Sequence, residues 1–248
     1  MLRSDLAAAF MLLTRLPVPG SAGAPDVARC VWAFPVVGLV VNLAAGLVYR
    51  LGYEAGLPPL LAAAWTVAAA LAMTGAFHED GLADTADGFG GGGSRERKLE
   101  IMRDSRIGSF GALALLLSVL VRVAAISALA RPGVVAAALV AAGMLGRSGM
   151  VLLVIAIRPA RADGMGASMG GLRVGPAAAG LGMAVAASFA LLPARPAAAV
   201  VLLSVAVSLG MAKLAAAQIG GYTGDVLGAC EVATECVVLT AGTVAFGA

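Results

Sequence analysis

Seven stretches of this chain are apolar over about 18 residues or more, long enough for a helix to cross the hydrocarbon core of a bilayer. They run over about 31–49, 59–76, 109–130, 134–157, 176–193, 197–217 and 226–246. In lipid each backbone N–H and C=O must find its partner inside the protein, so helices or a closed barrel are the only spanning forms. Runs of this length read as membrane helices. Composition agrees: 60% of the 248 residues are apolar and 12% are charged, against about 45–50% and about 25% in a soluble domain. The expected fold is all-α, an integral membrane bundle of about seven transmembrane helices forming one polytopic domain over 1–248. The opening MLRSDLAAAFMLLTRLPVPG resembles a signal peptide, but its apolar run from Leu6 to Leu13 is short and no small-x-small cleavage site follows. It reads as a helix lying at the membrane interface and ended by Pro17.

Charge placement gives sidedness. With the N-terminus on the cytoplasmic side, the loops at 77–108, 158–175 and 218–225 share that side. Arg3, Arg15, Arg29, Arg95, Arg97, Lys98, Arg103, Arg106, Arg158, Arg161 and Arg173 then lie there, against Arg50, Arg131 and Arg195 opposite. This asymmetry follows the positive-inside rule and puts the C-terminus outside. The acids are sorted the same way. All except Asp5, Asp26 and Glu54 fall in or beside those three loops. Solvation of loops alone gives no reason for that sorting.

The densest group of acids is HEDGLADTADGFGGGG, beginning at His78. Asp80, Asp84 and Asp87 recur at i, i+4 and i+7, which puts them on one helical face. Like charges at that spacing repel, and the nearest basic residue along the chain is Arg95. A divalent cation would relieve the repulsion, and an oxygen-only ligand set favours Mg²⁺, Mn²⁺ or Ca²⁺. The bland alternative is a solvated helix end beside a span. The glycines from Gly90 to Gly93 disfavour helix and suit either a flexible turn or a loop that offers N–H groups to phosphate. Ser94 is the expected N-cap of a helix over about 95–104. Arg103, Asp104 and Arg106 follow it, a fourth acid with two guanidiniums able to meet a pyrophosphate.

Further along, ARADGMGASMGGLRVG carries Arg161, Asp163 and Arg173, and GGYTGDVLGACEVATE carries Asp225, Glu231 and Glu235. Glu231 and Glu235 fall inside the seventh span, where an acid is expensive and marks function by default. Arg147, deep in the fourth span, is their expected counter-charge or a ligand contact. Arg122 in the third span has a less definite role, and Lys213 is placed to snorkel. A single histidine and three scattered cysteines exclude a zinc site of the usual kind and a disulfide framework. The scattered basic residues exclude a nucleic-acid surface.

In this order, FMLLTRLPVPG, FPVVGLVVN, GAFHEDGLADTADGFGG, ERKLEIMRDSRIGSFGALAL and GGYTGDVLGACEVATE resemble the cobalamin synthase family, adenosylcobinamide-GDP ribazoletransferase, over about residues 8–240. The resemblance implies the final step of vitamin B12 assembly in the bacterial inner membrane, as a Mg²⁺-dependent enzyme. Adenosylcobinamide-GDP would be joined to α-ribazole, or its 5′-phosphate, with release of GMP. Partners are then these small molecules and membrane lipid, without nucleic acid and with room for a homo-oligomer. Phosphoryl transfer asks for positioning and charge neutralisation more than covalent chemistry. On this reading Asp80, Asp84 and Asp87 hold one or two Mg²⁺ ions, with Asp104 or Asp225 completing the shell. Arg103, Arg106 and Arg147 bind phosphate. The general base is His78, Glu79 or one of the aspartates.

Two other readings compete. A CDP-alcohol phosphotransferase also begins its motif D-G-x-x-A, as in Asp80-Gly81-Leu82-Ala83, but Asp84 and the spacing after it depart from that pattern. A transporter would place its acids near the midplane, in repeated halves, and here they gather at one membrane face.

Overall fold

The computed structural model describes residues 2–18 and 26–246. In chain order the helices are α1 (Leu2–Leu13), α2 (Val27–Cys30), α3 (Phe34–Glu54), α4 (Pro59–Thr74), α5 (Phe77–Gly91), α6 (Arg95–Ile101), α7 (Ser109–Leu129), α8 (Pro132–Ala156), α9 (Gly164–Ser168), α10 (Val174–Leu191), α11 (Ala194–Ile219) and α12 (Gly224–Phe246). A 3₁₀ turn, Val31–Ala33, joins α2 to α3. No strand occurs among the described residues; Pro159 and Tyr222 form an isolated parallel bridge. Prolines open α3, α4 and α8, where the missing N–H costs nothing and the fixed φ suits a first turn.

Among the described residues six helices are long and apolar enough to cross a membrane, and a seventh span results if α4 and α5 count as one broken segment. The all-α multi-span expectation therefore holds. α8 is the most enclosed span, packed by α3, α10, α11 and α12. α7, α10 and α11 bury only a minor share of their surface, and Leu116, Leu120 and Leu202 point outward. Outward leucine is what lipid-facing helices require. α1 packs onto the bundle through Ala8, Ala9 and Leu13, and its Asp5 pairs with Arg29 at 2.7 Å.

The second span departs most from expectation. α4 ends at Thr74 after 16 residues, about 24 Å at the usual rise per residue. The chain then turns through 91° into α5. Gly75 at φ 66° and Ala76 at φ 55° make the corner. Glycine takes this left-handed conformation freely, whereas alanine does so only under strain. The result is a helix that leaves the line of its span and packs on α7, α12 and α6. α5 also continues through Gly90 and Gly91, where a glycine run argued against helix. Packing accounts for this: a Cβ on Gly90 would stand 2.6 Å from the Phe110 ring, so the glycine lets α7 approach.

Candidate active site

α5 has two chemically distinct faces. On the inner face, His78 and Glu79 are buried, at 1% and 7% exposure. Glu79 accepts from Arg122 Nη1 of α7 at 2.8 Å. His78 Nδ1 lies 3.5 Å from Glu231 of α12. Glu231 in turn accepts from Arg147 Nη1 of α8 at 2.6 Å. Glu235 lies 3.4 Å from both Arg122 and Arg147, and Asn42 of α3 donates to it at 3.5 Å. Three carboxylates thus face two guanidiniums and one imidazole in a nearly dry interior. Buried charges persist in such surroundings only when paired. His78 Nε2, Arg122 Nη2 and Arg147 Nε have no partner here.

On the other face, Asp80 is exposed, Asp84 half-buried and Asp87 buried. Gly81 lets this face meet the start of α12, which carries Asp225. Partial burial, then the neighbouring charges of Asp80, Asp225 and Asp87, push the Asp84 carboxyl up to about 7. Asp87 is engaged differently. Its two oxygens accept from the backbone N–H groups of Gly108 and Gly111, at 2.7 and 2.8 Å. These groups begin α7, so Asp87 satisfies donors that have no partner within their own helix and ties the 102–109 loop to α5. Among the described residues no three acids, histidines or cysteines already stand in a metal-holding arrangement.

The loops bring guanidiniums to this face. Arg103 donates to Asp163 at 2.7 Å. Arg106 grips Asp104 through Nε, at 2.9 and 3.1 Å, and through Nη2. That grip holds Asp104 at about 2, well below the usual carboxylate range. Arg161 reaches toward Asp225 at 3.6 Å and Asp163 at 3.9 Å. Its segment is strapped to the turn before α12: Tyr222 N–H donates to Arg158 O at 3.0 Å and Ala160 N–H to Tyr222 O at 2.8 Å. Arg95 donates to Ala160 O and Ile219 O across the same junction. Ser94 caps α6 as expected, accepting from Arg97 N–H at 3.2 Å.

The family model for cobalamin-5-phosphate synthase matches residues 5–243. The chain belongs to that family. Its relatives include proteins named adenosylcobinamide-GDP ribazoletransferase. The synthase-family chain is 47% identical to one from Bradyrhizobium diazoefficiens, covering 95% of this chain and 92% of the relative. It is 44% identical to one from Azorhizobium caulinodans, covering 93% of each. It is 41% identical to one from Mesorhizobium japonicum, covering 97% and 93%. No solved structure matches.

Within this synthase-family bundle, Asp80, Asp84 and Asp225 share one electrostatic neighbourhood, while Arg103 and Arg106 lie in the adjoining loop. His78, Glu79 and Arg147 belong instead to the buried ion network. Asp104 is held by Arg106. Sequence reasoning left the role of Arg122 open and passed over Asn42. A polar residue inside FPVVGLVVN was the available signal, since an amide in an apolar span needs a partner.

Proposed function

We propose that this protein catalyses the final step of adenosylcobalamin assembly, joining adenosylcobinamide-GDP to α-ribazole or its 5′-phosphate with release of GMP. The ribazole hydroxyl oxygen attacks the phosphorus bonded to cobinamide, the bond from that phosphorus to GMP breaks, and the hydroxyl proton passes to a base. The observation that carries this reading is the joining, at one end of the bundle, of the Asp80–Asp84 face, Asp225 and the Arg103–Arg106 loop. It supplies carboxylates and guanidiniums together, as a pyrophosphate substrate requires. The relatives' shared name supports the same step.

The donor set fits a hard divalent cation. It is all oxygen, and the raised Asp84 carboxyl marks like charges that a cation would neutralise. Asp80, Asp84 and Asp225 would hold Mg²⁺, which would supply charge neutralisation at the pyrophosphate. Asp87 holds the Arg103–Arg106 loop against the aspartates. An aspartate of the open face suits the base better than His78, whose side chain is 2% exposed. We place this face at the cytoplasmic side of the bacterial inner membrane, as the loop arginines support.

The test is turnover by purified protein in detergent or liposomes. With adenosylcobinamide-GDP, α-ribazole and Mg²⁺, GMP and cobalamin should form in equal amounts, and chelation should stop both. Folded protein that yields neither product under these conditions refutes the reading.

A further inference from the structure

Arg161 holds unspent donors. Its guanidinium carries five N–H groups in a fork suited to carboxylate or phosphate. It sits mostly enclosed, with a side-chain exposure of 21%. Yet its two ion-pair partners stand at 3.6 Å (Asp225) and 3.9 Å (Asp163), beyond good hydrogen-bond length. Its Nη1 is buried without an acceptor. A donor left unsatisfied inside a protein costs roughly 1–3 kcal/mol, and the Tyr222 strap holds Arg161 in this place. Asp225, the acid it faces, also interacts with Asp80. The guanidinium therefore borders the aspartate face through Asp225.

Asp163 lies between two arginines. One oxygen meets Arg103 at 2.7 Å and the other faces Arg161 at 3.9 Å. The carboxylate stands where an anion bridging these two side chains would stand. The contact is open to water, with side-chain exposures of 55% for Arg103 and 67% for Asp163. Exposed pairs of this kind contribute at most about 1 kcal/mol. A phosphate carrying more charge and more acceptor oxygens outcompetes such a carboxylate.

We propose that Arg161 and Arg103 form a clamp for the pyrophosphate of the nucleotide-bearing substrate, and that Asp163 is an internal competitor occupying the clamp until substrate arrives. This rests on the functional reading above and adds to it a phosphate ligand, Arg161, and a device that sets substrate affinity. Asp163 supplies no group to the reaction; its effect falls on KM.

The experiment is steady-state kinetics of GMP release, varying adenosylcobinamide-GDP, with inorganic pyrophosphate as competing inhibitor. Asp163→Asn should lower KM and the inhibition constant of pyrophosphate together, about two- to fivefold, with kcat little changed. Arg161→Gln should raise both constants at least about tenfold. In the Arg161→Gln background, Asp163→Asn should give a smaller gain than in wild type. Arg161→Lys, which keeps the charge without the fork, should fall between, and it serves if Arg161→Gln does not fold. An active wild type whose KM and pyrophosphate inhibition are unmoved by Asp163→Asn, or raised by it, overturns the internal competitor. Arg161 variants that alter kcat alone overturn the clamp. A wild type that releases no GMP overturns the functional reading instead.

Discussion

A Cβ on Gly81 would stand 2.8 Å from the backbone oxygen of Asp225, so α5 and α12 meet backbone to backbone at the point where their acids converge. Neither backbone can yield as a flexible side chain would. Gly81→Ala should therefore push the two helices apart. Displacement of about 1 Å at a reacting centre can cost about a hundredfold in rate. We expect Gly81→Ala to lower kcat/KM by at least about tenfold while the protein still elutes as a folded species from size-exclusion chromatography. Near-normal turnover would show that the spacing of Asp84 from Asp225 does not matter.

Asp84 and Asp87 should behave differently although only two residues separate them. Asp84→Ala removes an open carboxylate from the proposed cation site and should abolish GMP release with a modest change in Tm. Asp87→Asn exchanges one charged acceptor bridging two N–H groups for a neutral amide, which should cost about 1–2 kcal/mol of stability. Thermal unfolding in detergent, run alongside turnover, distinguishes the two. A larger Tm loss for Asp84→Ala than for Asp87→Asn would reverse these roles.

The raised Asp84 carboxyl sets a pH dependence. Its pKa is about 7 in the folded protein against an ordinary 3.8. The folded state thus binds this proton more tightly than the unfolded state does. Stability is lost as pH rises from about 4 to about 7, and the loss is complete above that. Asp84→Asn should therefore raise the Tm of cation-free protein at pH 8 and leave it nearly unchanged at pH 4. Proton and cation compete for the same oxygens, so the Mg²⁺ concentration giving half-maximal rate should be higher at pH 6 than at pH 8. Equal Mg²⁺ requirements at the two pH values would remove Asp84 from the cation site.

Arg122 balances Glu79 at 2.8 Å and Glu235 at 3.4 Å within the bundle. Arg122→Gln leaves both acids short of charge, and breaking a buried pair in this way costs about 3–5 kcal/mol. The double variant Glu79→Gln with Arg122→Gln should lose less than the sum of the single losses, because the two share one interaction. Additive losses in Tm would mean that the pair contributes nothing.

Sidedness can be read by labelling. A cysteine in place of exposed Ser94 should react with a membrane-impermeant maleimide only in inside-out vesicles. One in place of exposed Arg195 should react only in right-side-out vesicles. The opposite pattern would invert the topology inferred from the loop arginines.

The spans were legible because apolar run length is a property of the chain itself. The predicted 109–130 and 226–246 fall on Ser109–Leu129 and Gly224–Phe246. The corner at Gly75 and Ala76 was not legible, since an alanine in left-handed conformation is imposed by tertiary packing and leaves no local mark. At the candidate site, spacing alone put Asp80, Asp84 and Asp87 on one face. It could not tell that Asp87 turns to the N-terminus of α7 while Asp84 stays open, because Gly108 and Gly111 lie a loop away. Pairing was legible for Arg147 with Glu231 and Glu235, where the cost of isolated charge in lipid demanded a partner. Asp163 was legible only as a charge; its place between Arg103 and Arg161 depends on the Tyr222 strap.

The buried ion pairs can form only in a fixed order as the chain is made. Glu79 is synthesised before Arg122, so α7 finds its counter-charge already waiting in the nascent protein. Arg147 has no such predecessor: its closest partner, Glu231, follows 84 residues later. Between those two moments the most enclosed span of the bundle carries a guanidinium without its closest acid partner. Until the last helix docks, the charge of Arg147 lacks the acids that balance it in the finished bundle. Chains stopped after Ile219 should fail to settle in the membrane and be degraded rapidly, as pulse-chase would record. The last helix thus completes the charge balance of α8 as well as contributing Asp225 to the charged face.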